Sequence, residues 1–190
     1  MNDTADSQIS GESAYPGAPR TVAEALGQVV WLLSQSPLHR QMKLKDLEWS
    51  FMPAILKEQF RIFRFGPLPT LAAMNPTEFK LAGFSKEGIE QLPLGVAIWA
   101  HLSEAAEAKL ERGEHLDEAD WQSGDRLWVV EFVTPFATTE NKLGEAMMLD
   151  LMGGPLSGKT FYLHRTDPQS GRRDKVKLSG LPAKPLPEKQ

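Results

Sequence analysis

Four histidines occur among the 190 residues, and one of them, His39, stands where an imidazole could be held for acid–base work. It follows Ser36-Pro37-Leu38, just past an apolar segment of helical spacing over 21–34. Pro37 cannot continue a helix, because its ring removes a backbone N–H and clashes with the preceding turn. It also pushes Ser36 toward an extended conformation. The helix is therefore expected to stop near Gln35 and to leave His39 in a turn on a rigid element, which suits a catalytic side chain. The candidate partner is Glu131, the one carboxylate in Leu127-Trp128-Val129-Val130-Glu131-Phe132-Val133. A charge inside such a strand costs desolvation unless it is paired. Glu131 faces solvent, or pairs with an arginine such as Arg126 or Arg165, or meets His39. In the last case it would fix the tautomer and support the imidazolium, making His39 a competent general base.

Other patterns carry less. Gly153-Gly154-Pro155-Leu156-Ser157-Gly158-Lys159-Thr160 matches G-x-x-x-x-G-K-[ST] letter for letter. A phosphate loop follows a strand and opens a helix. Here a helical stretch, 145–151, precedes the loop and a strand, 161–163, follows it, and Pro155 removes an amide. The segment is expected to connect helix to strand, with a nucleotide-binding enzyme kept only as an alternative. Glu111, Glu114, His115, Asp117, Glu118 and Asp120 read as a solvated loop rather than a metal site. No metalloprotease, hydrolase or calcium-loop motif is present. Arg40, Lys43 and Lys45 place positive charge beside His39, as ordinary surface charge or as docking for an acidic partner.

Composition narrows the class. Forty-one per cent hydrophobic and 24% charged residues describe an ordinary globular chain. A net charge of -4 and a pI near 5.6 argue against a dedicated nucleic-acid binder. The absence of cysteine removes disulfides, thiol nucleophiles and thiolate metal sites. Met1 to Tyr15 has no secretory pattern, and the longest apolar run of the first helix, Val29 to Leu33, is far short of a membrane span. A cytoplasmic protein without a transmembrane segment is expected.

The elements that must position the site follow from periodicity. Residues 1–20 read as a disordered leader and 181–190 as a frayed tail, with one domain over 21–180 interrupted by an irregular insertion, 66–92. Thr21 and Glu24 form a capping box for the first helix, whose core face is Val22, Leu26, Val29, Val30 and Leu33. Helical segments are expected around Leu44 to Phe51, after Pro53, from Glu104 to Arg112 behind a Ser103 cap with Gly113 as its stop, and over 141–151. Strands are expected over 60–65, 94–99, 127–133, 160–165 and 175–178, with a turn at 167–171. The strand 127–133 is nearly continuous in apolar residues, so it should be central and covered on both faces. The alternation implies an α+β or α/β sandwich.

Several blocks, in order, resemble the RTX toxin-activating lysine acyltransferases. They are Gly27, Trp31-Leu32, Ser34 to Arg40, Met52-Pro53-Ala54-Ile55 with Gln59, Trp99-Ala100, Leu102-Ser103, Asp120-Trp121, Ser123-Gly124-Asp125-Arg126, Trp128, Pro135-Phe136, Arg165 and Asp167-Pro168. The likeness spans Val22 to Val176. It implies a GNAT-like N-acyltransferase fold, a mixed central sheet flanked by helices, and cytoplasmic enzymes that pair as homodimers. It implies transfer of a fatty acyl group from acyl-acyl carrier protein to internal lysines of an RTX protoxin, with no other cofactor and no metal. The family's essential histidine falls on His39, and Ser36, directly before Pro37, is the candidate helper the resemblance implies. Its partner aspartate falls on Glu131, a departure that keeps the charge and lengthens the side chain by a methylene; a non-catalytic protoxin chaperone of the same fold is the alternative this raises. Arg40, Lys43 and Lys45 are then the candidate carrier-protein docking residues, and Trp31, Trp99 and Phe132, with Met147, the candidate acyl pocket.

Overall fold

The computed structural model describes residues 21–64, 92–166 and 172–182. The expected leader, the insertion but for Leu92, the turn at 167–171 and the tail beyond Pro182 lie outside them.

Helix α1, Val22–Gln35, begins where Thr21 Oγ1 accepts a hydrogen bond from the Glu24 amide at 3.1 Å and stops at Ser36, whose N–H bonds to Leu33 O. A 3-10 turn, Leu44–Asp46, leads into two short helices, α2 (Leu47–Ser50) and α3 (Met52–Leu56). Pro53 sits in the first turn of α3, where no intrahelical N–H is needed. Strands β1 (Phe60–Phe63) and β2 (Gly95–Leu102) follow, then helix α4 (Glu104–Glu111). Ser103 Oγ caps α4 at the Ala106 amide, and Gly113, at φ +75, turns the chain away in a conformation that favours glycine. A second 3-10 turn, Glu118–Trp121, precedes β3 (Arg126–Val133). Helix α5 (Leu143–Gly153) carries the chain to β4 (Thr160–Thr166) and β5 (Arg173–Ser179).

The five strands form one mixed sheet in the order β1-β2-β3-β4-β5. Among the strands of the described residues only β3 and β4 pair in parallel, joined through α5 as a parallel pair requires. Their register covers just Trp128↔Tyr162 and Val129↔Leu163, although both strands continue further. The sheet is an α+β sandwich with a separate core on each face. Helices α1 to α4 cover one face, packing Val29, Leu32, Phe51, Ile55 and Leu110 onto Val96, Ile98, Ala100, Trp128 and Val133. Helix α5 covers the other, packing Met147 and Leu151 onto Ala97, Trp99, Leu127, Val129 and Phe161.

Strand β3 is central, as its apolar run predicts, but it is not covered along its whole length: Val130, Glu131 and Phe132 are only half-buried. Part of the S-G-D-R block is explained by the junction in front of it. A Cβ on Gly124 would lie 2.6 Å from Leu102 O and 2.7 Å from Ser103 Cα, so only glycine lets the two segments touch. Ser123 Oγ accepts from the Ser103 amide and donates to Asp120 O, both at 2.8 Å. Arg126 pairs with Glu107 and Glu104, not with Glu131. Glu107 also accepts from Trp128 Nε1 and Lys175 Nζ, each at 2.8 Å. Burial alone would raise the Glu107 pKa; the donors from Lys175 and Trp128 outweigh it and hold it below the usual carboxylate range.

Candidate active site

The end of α1 builds the first half of the site. Ser36 O accepts from the His39 and Arg40 amides at 3.0 and 2.9 Å, closing the turn that Pro37 begins. Ser36 is buried, and its Oγ lies 2.8 Å from His39 Nδ1. His39 O in turn accepts from the Met42 amide at 2.8 Å. Backbone and side chain together leave the imidazole one orientation, with Nε2 directed away from the turn.

The second half comes from an irregularity in β3. Ile98 pairs with Glu131, but the next residue of β2, Trp99, pairs with Val129. Val130 is left without a partner, which makes a β-bulge. In an unbroken strand, residues three apart point to opposite faces, so Glu131 would lie away from Trp128. The bulge shifts the alternation by one. Val130 and Trp128 both pack on the α1–α4 core, and Glu131 faces the same way as its partner Ile98. There its Oε1 lies 3.6 Å from His39 Nε2, with the His39 side chain 15% exposed and that of Glu131 42%. The same oxygen lies 3.3 Å from the Phe132 amide, which donates to it.

The three residues singled out for chemistry thus come together, in an arrangement that differs from the simplest expectation. The group on Nδ1 is the Ser36 hydroxyl, not the carboxylate. When Ser36 accepts from Nδ1–H, Nε2 carries the basic lone pair and points at Glu131. Glu131 therefore faces Nε2, on the opposite side of the ring from the Ser36 hydroxyl.

His39 lines one cleft, Glu131 lines a second, and Met42 lines both. The first, about 160 Å³, has His39, Arg40, Lys43 and Leu44 on its rim over Val30, Leu33 and Leu47. Lys45 is exposed nearby, and two leucines beside the cleft are exposed too, Leu38 at 89% and Leu44 at 76%. The basic side chains thus surround an apolar patch. The second cleft, about 230 Å³, has Glu131 and Val130 in its wall together with Trp49, Phe51, Leu110 and Trp121. Nothing in the spacing of these residues along the chain marks them as neighbours.

The expected acyl pocket is laid out differently. Trp99 and Phe132 lie on the α5 face, Trp99 at 8% exposure and Phe132 edge-on to Phe63, because both fall on the other side of the pleat from Glu131. Met147 is fully buried in the same core. Trp31 sits at the border of the two cores against Phe136. None of the four lines either cleft.

The remaining patterns resolve as connections. In the Gly153–Thr160 segment the amides of Leu156, Ser157, Gly158 and Lys159 are all taken by backbone carbonyls, α5 precedes and β4 follows. No cradle of free N–H groups is left for a phosphate. In the acidic loop Asp117 and Asp120 hold Lys109, and Arg112 holds Glu114. Among the described residues no cluster of three or more histidine and carboxylate side chains could hold a metal ion, and no helix is long and apolar enough to cross a membrane.

Comparison with known proteins agrees with this architecture. The model of the RTX toxin acyltransferase family matches residues 18–74 and 68–179. The RTX-I toxin-activating lysine-acyltransferase of Actinobacillus pleuropneumoniae is 30% identical over 148 residues, 77% of this chain and 69% of that relative. The leukotoxin-activating lysine-acyltransferase of Aggregatibacter actinomycetemcomitans is 32% identical over 114 residues, and that of a Pasteurella haemolytica-like strain 28% over 116, in each case 60% of this chain. The chain spans just over half the length of those two relatives, 54% and 56%. With nearly all of the described residues inside the matched region, this chain belongs to the RTX toxin acyltransferase family.

Proposed function

We propose that this chain is a protein-lysine fatty acyltransferase that moves an acyl group from acyl-acyl carrier protein to internal lysines of an RTX protoxin. The observation that carries this reading is His39 Nε2 facing the Glu131 carboxylate at 3.6 Å, with His39 lining one cleft and Glu131 another. A lysine amine is protonated near neutrality, with an ordinary pKa of about 10.4, and cannot attack until it loses a proton. An ammonium nitrogen placed between Nε2 and Oε1 reaches both with ordinary hydrogen bonds. Glu131 then holds the cation and His39 takes its proton. The freed amine attacks the thioester carbonyl, the C–N bond forms, and the C–S bond breaks. The imidazolium gives its proton to the departing thiolate of the carrier, and the surplus proton on the adduct nitrogen is released to solvent, so that ammonium and thioester become amide, thiol and one free proton.

The patch of Leu38 and Leu44 among Arg40, Lys43 and Lys45 supports docking of an acidic carrier, because apolar anchors supply affinity while rim charges steer approach. No cofactor besides the acyl donor enters the reaction. Homodimerisation and a cytoplasmic setting belong to the same reading through the family likeness. The test is mass spectrometry of an RTX protoxin co-expressed with the wild-type chain and with His39→Ala. Fatty acyl adducts on lysine with the wild type alone support the reading. Adducts with both remove His39 from the chemistry. Binding of the protoxin without adducts in either case favours a non-catalytic chaperone.

A further inference from the structure

The two clefts at the His39–Glu131 pair differ in chemistry, and a thioester has two ends to place. Its thiol end leads to the carrier protein and its acyl end to a hydrocarbon tail. The cleft with Arg40 and Lys43 on its rim suits the carrier's side. The other begins at Glu131 and runs between α2 and the segment after α4, lined by Trp49, Phe51, Leu110, Leu116, Trp121 and Val130 and also by the polar Ser50, Glu114, His115 and Arg173. Its volume is about 230 Å³. On the opposite face of the sheet the positions that pleating could offer are filled: Met147, Leu151, Leu156 and Phe161 are each 0% exposed. We propose that this second cleft is the acyl-chain site. The carbonyl end sits beside Glu131, and the tail runs toward Leu110, Leu116 and Trp121.

This inference rests on the acyltransferase reading and adds where the chain lies and what limits its length. The outer wall is the Trp49 indole stacked on the His115 imidazole, with ring centroids 3.5 Å apart and planes 11° from parallel. Val130, thrust onto this face by the β3 bulge, narrows the end nearest the reacting carbonyl. Chain selection is therefore set by the same irregularity that brings Glu131 to His39.

The experiment offers the enzyme an equal mixture of short-, medium- and long-chain acyl-acyl carrier proteins and reads the adducts on a protoxin by mass spectrometry. A methylene that loses its slot in an apolar pocket costs roughly 10- to 200-fold in selection. Val130→Phe should cut the long-to-short adduct ratio by at least that lower factor, and Trp49→Ala should shift the ratio toward long chains. Unchanged ratios in both variants, with wild-type transfer intact, overturn the cleft assignment and leave the acyltransferase reading standing. A second measurement needs no turnover. A free fatty acid carrying bromine on its tail should quench the wild-type tryptophan fluorescence, and Trp49→Phe with Trp121→Phe should abolish that quenching. Quenching that persists in the double variant refutes the site. If the wild type transfers no acyl group from any donor, the functional reading fails, and the quenching alone decides whether the cleft holds a chain.

Discussion

Replacing Glu131 by glutamine removes one charge and little else, and the structure sets the size of the effect. The carboxylate oxygen stands 3.6 Å from His39 Nε2. At that distance Coulomb's law gives about 1 kcal/mol in water and about 5 kcal/mol at the effective dielectric of a protein surface. Glu131 is 42% exposed, so solvent screening pulls the value toward the lower half of that range. About 1.5–2.5 kcal/mol of stabilisation of the positive charge that passes from lysine to imidazole is expected to disappear. That corresponds to a fall in kcat/KM of roughly 10- to 70-fold. Steady-state transfer from acyl-acyl carrier protein to a protoxin fragment measures it. The loss should fall on kcat and on the KM for the lysine substrate, with the KM for the carrier unmoved. Glu131→Asp draws the carboxylate back by about 1.5 Å and keeps roughly two thirds of the attraction, so it should recover part of the rate. A Glu131→Gln enzyme within about twofold of wild type, or one whose loss lies wholly in the KM for the carrier, refutes the reasoning.

Three further outcomes follow from the same geometry. Ser36→Ala deletes the oxygen 2.8 Å from His39 Nδ1; at about 1 kcal/mol for such a hydrogen bond, kcat should drop roughly fivefold with the thermal unfolding midpoint nearly kept, and an unaltered kcat removes Ser36 from the site. Gly124→Ala pushes a methyl group to 2.6 Å from Leu102 O and should destabilise the fold by about 1–3 kcal/mol, read as a lower urea midpoint with an unchanged slope. His101 and His164 are held below the ordinary imidazole value of 6.5, in both cases first by burial and then by a neighbouring cation, Lys159 and Arg173 respectively. The unfolded chain therefore binds more protons, so stability is full above pH 6.5 and falls as the pH drops through the two folded values. His164→Gln should flatten that fall in denaturation series taken at neutral and mildly acidic pH; an equally steep fall in the variant contradicts the assignment.

How much of this was legible beforehand differs from residue to residue. The turn that holds His39 was legible, because Pro37 acts through its own ring and its immediate neighbours, and local sterics need no tertiary context. The caps at Thr21 and Ser103 and the stop at Gly113 were legible for the same reason. So were the strands: the apolar run of β3 declared a central position, and the order of helices and strands declared a sandwich. The family resemblance reached His39 and Glu131 through short blocks of the chain, again without any contact being known.

Tertiary structure decided the rest. Whether Glu131 faces α1 or α5 depends on one unpaired residue, Val130, and a bulge is a property of the pairing with β2, not of β3 alone. That single shift of the pleat placed Glu131 at Nε2, sent Phe132 to the other core, and opened a cleft between Trp49 and Trp121, residues far apart in the chain that no period links. Which nitrogen of His39 meets which partner was likewise set in space: Ser36 is three residues away and buried, while Glu131 arrives from the middle of the sheet. The sequence by itself determined the elements, because these follow from local sterics and apolar periodicity, and the family resemblance supplied His39 and Glu131 as the candidate pair. Only the folded sheet decided their faces, because strand register is a relation between segments that have to meet before it exists.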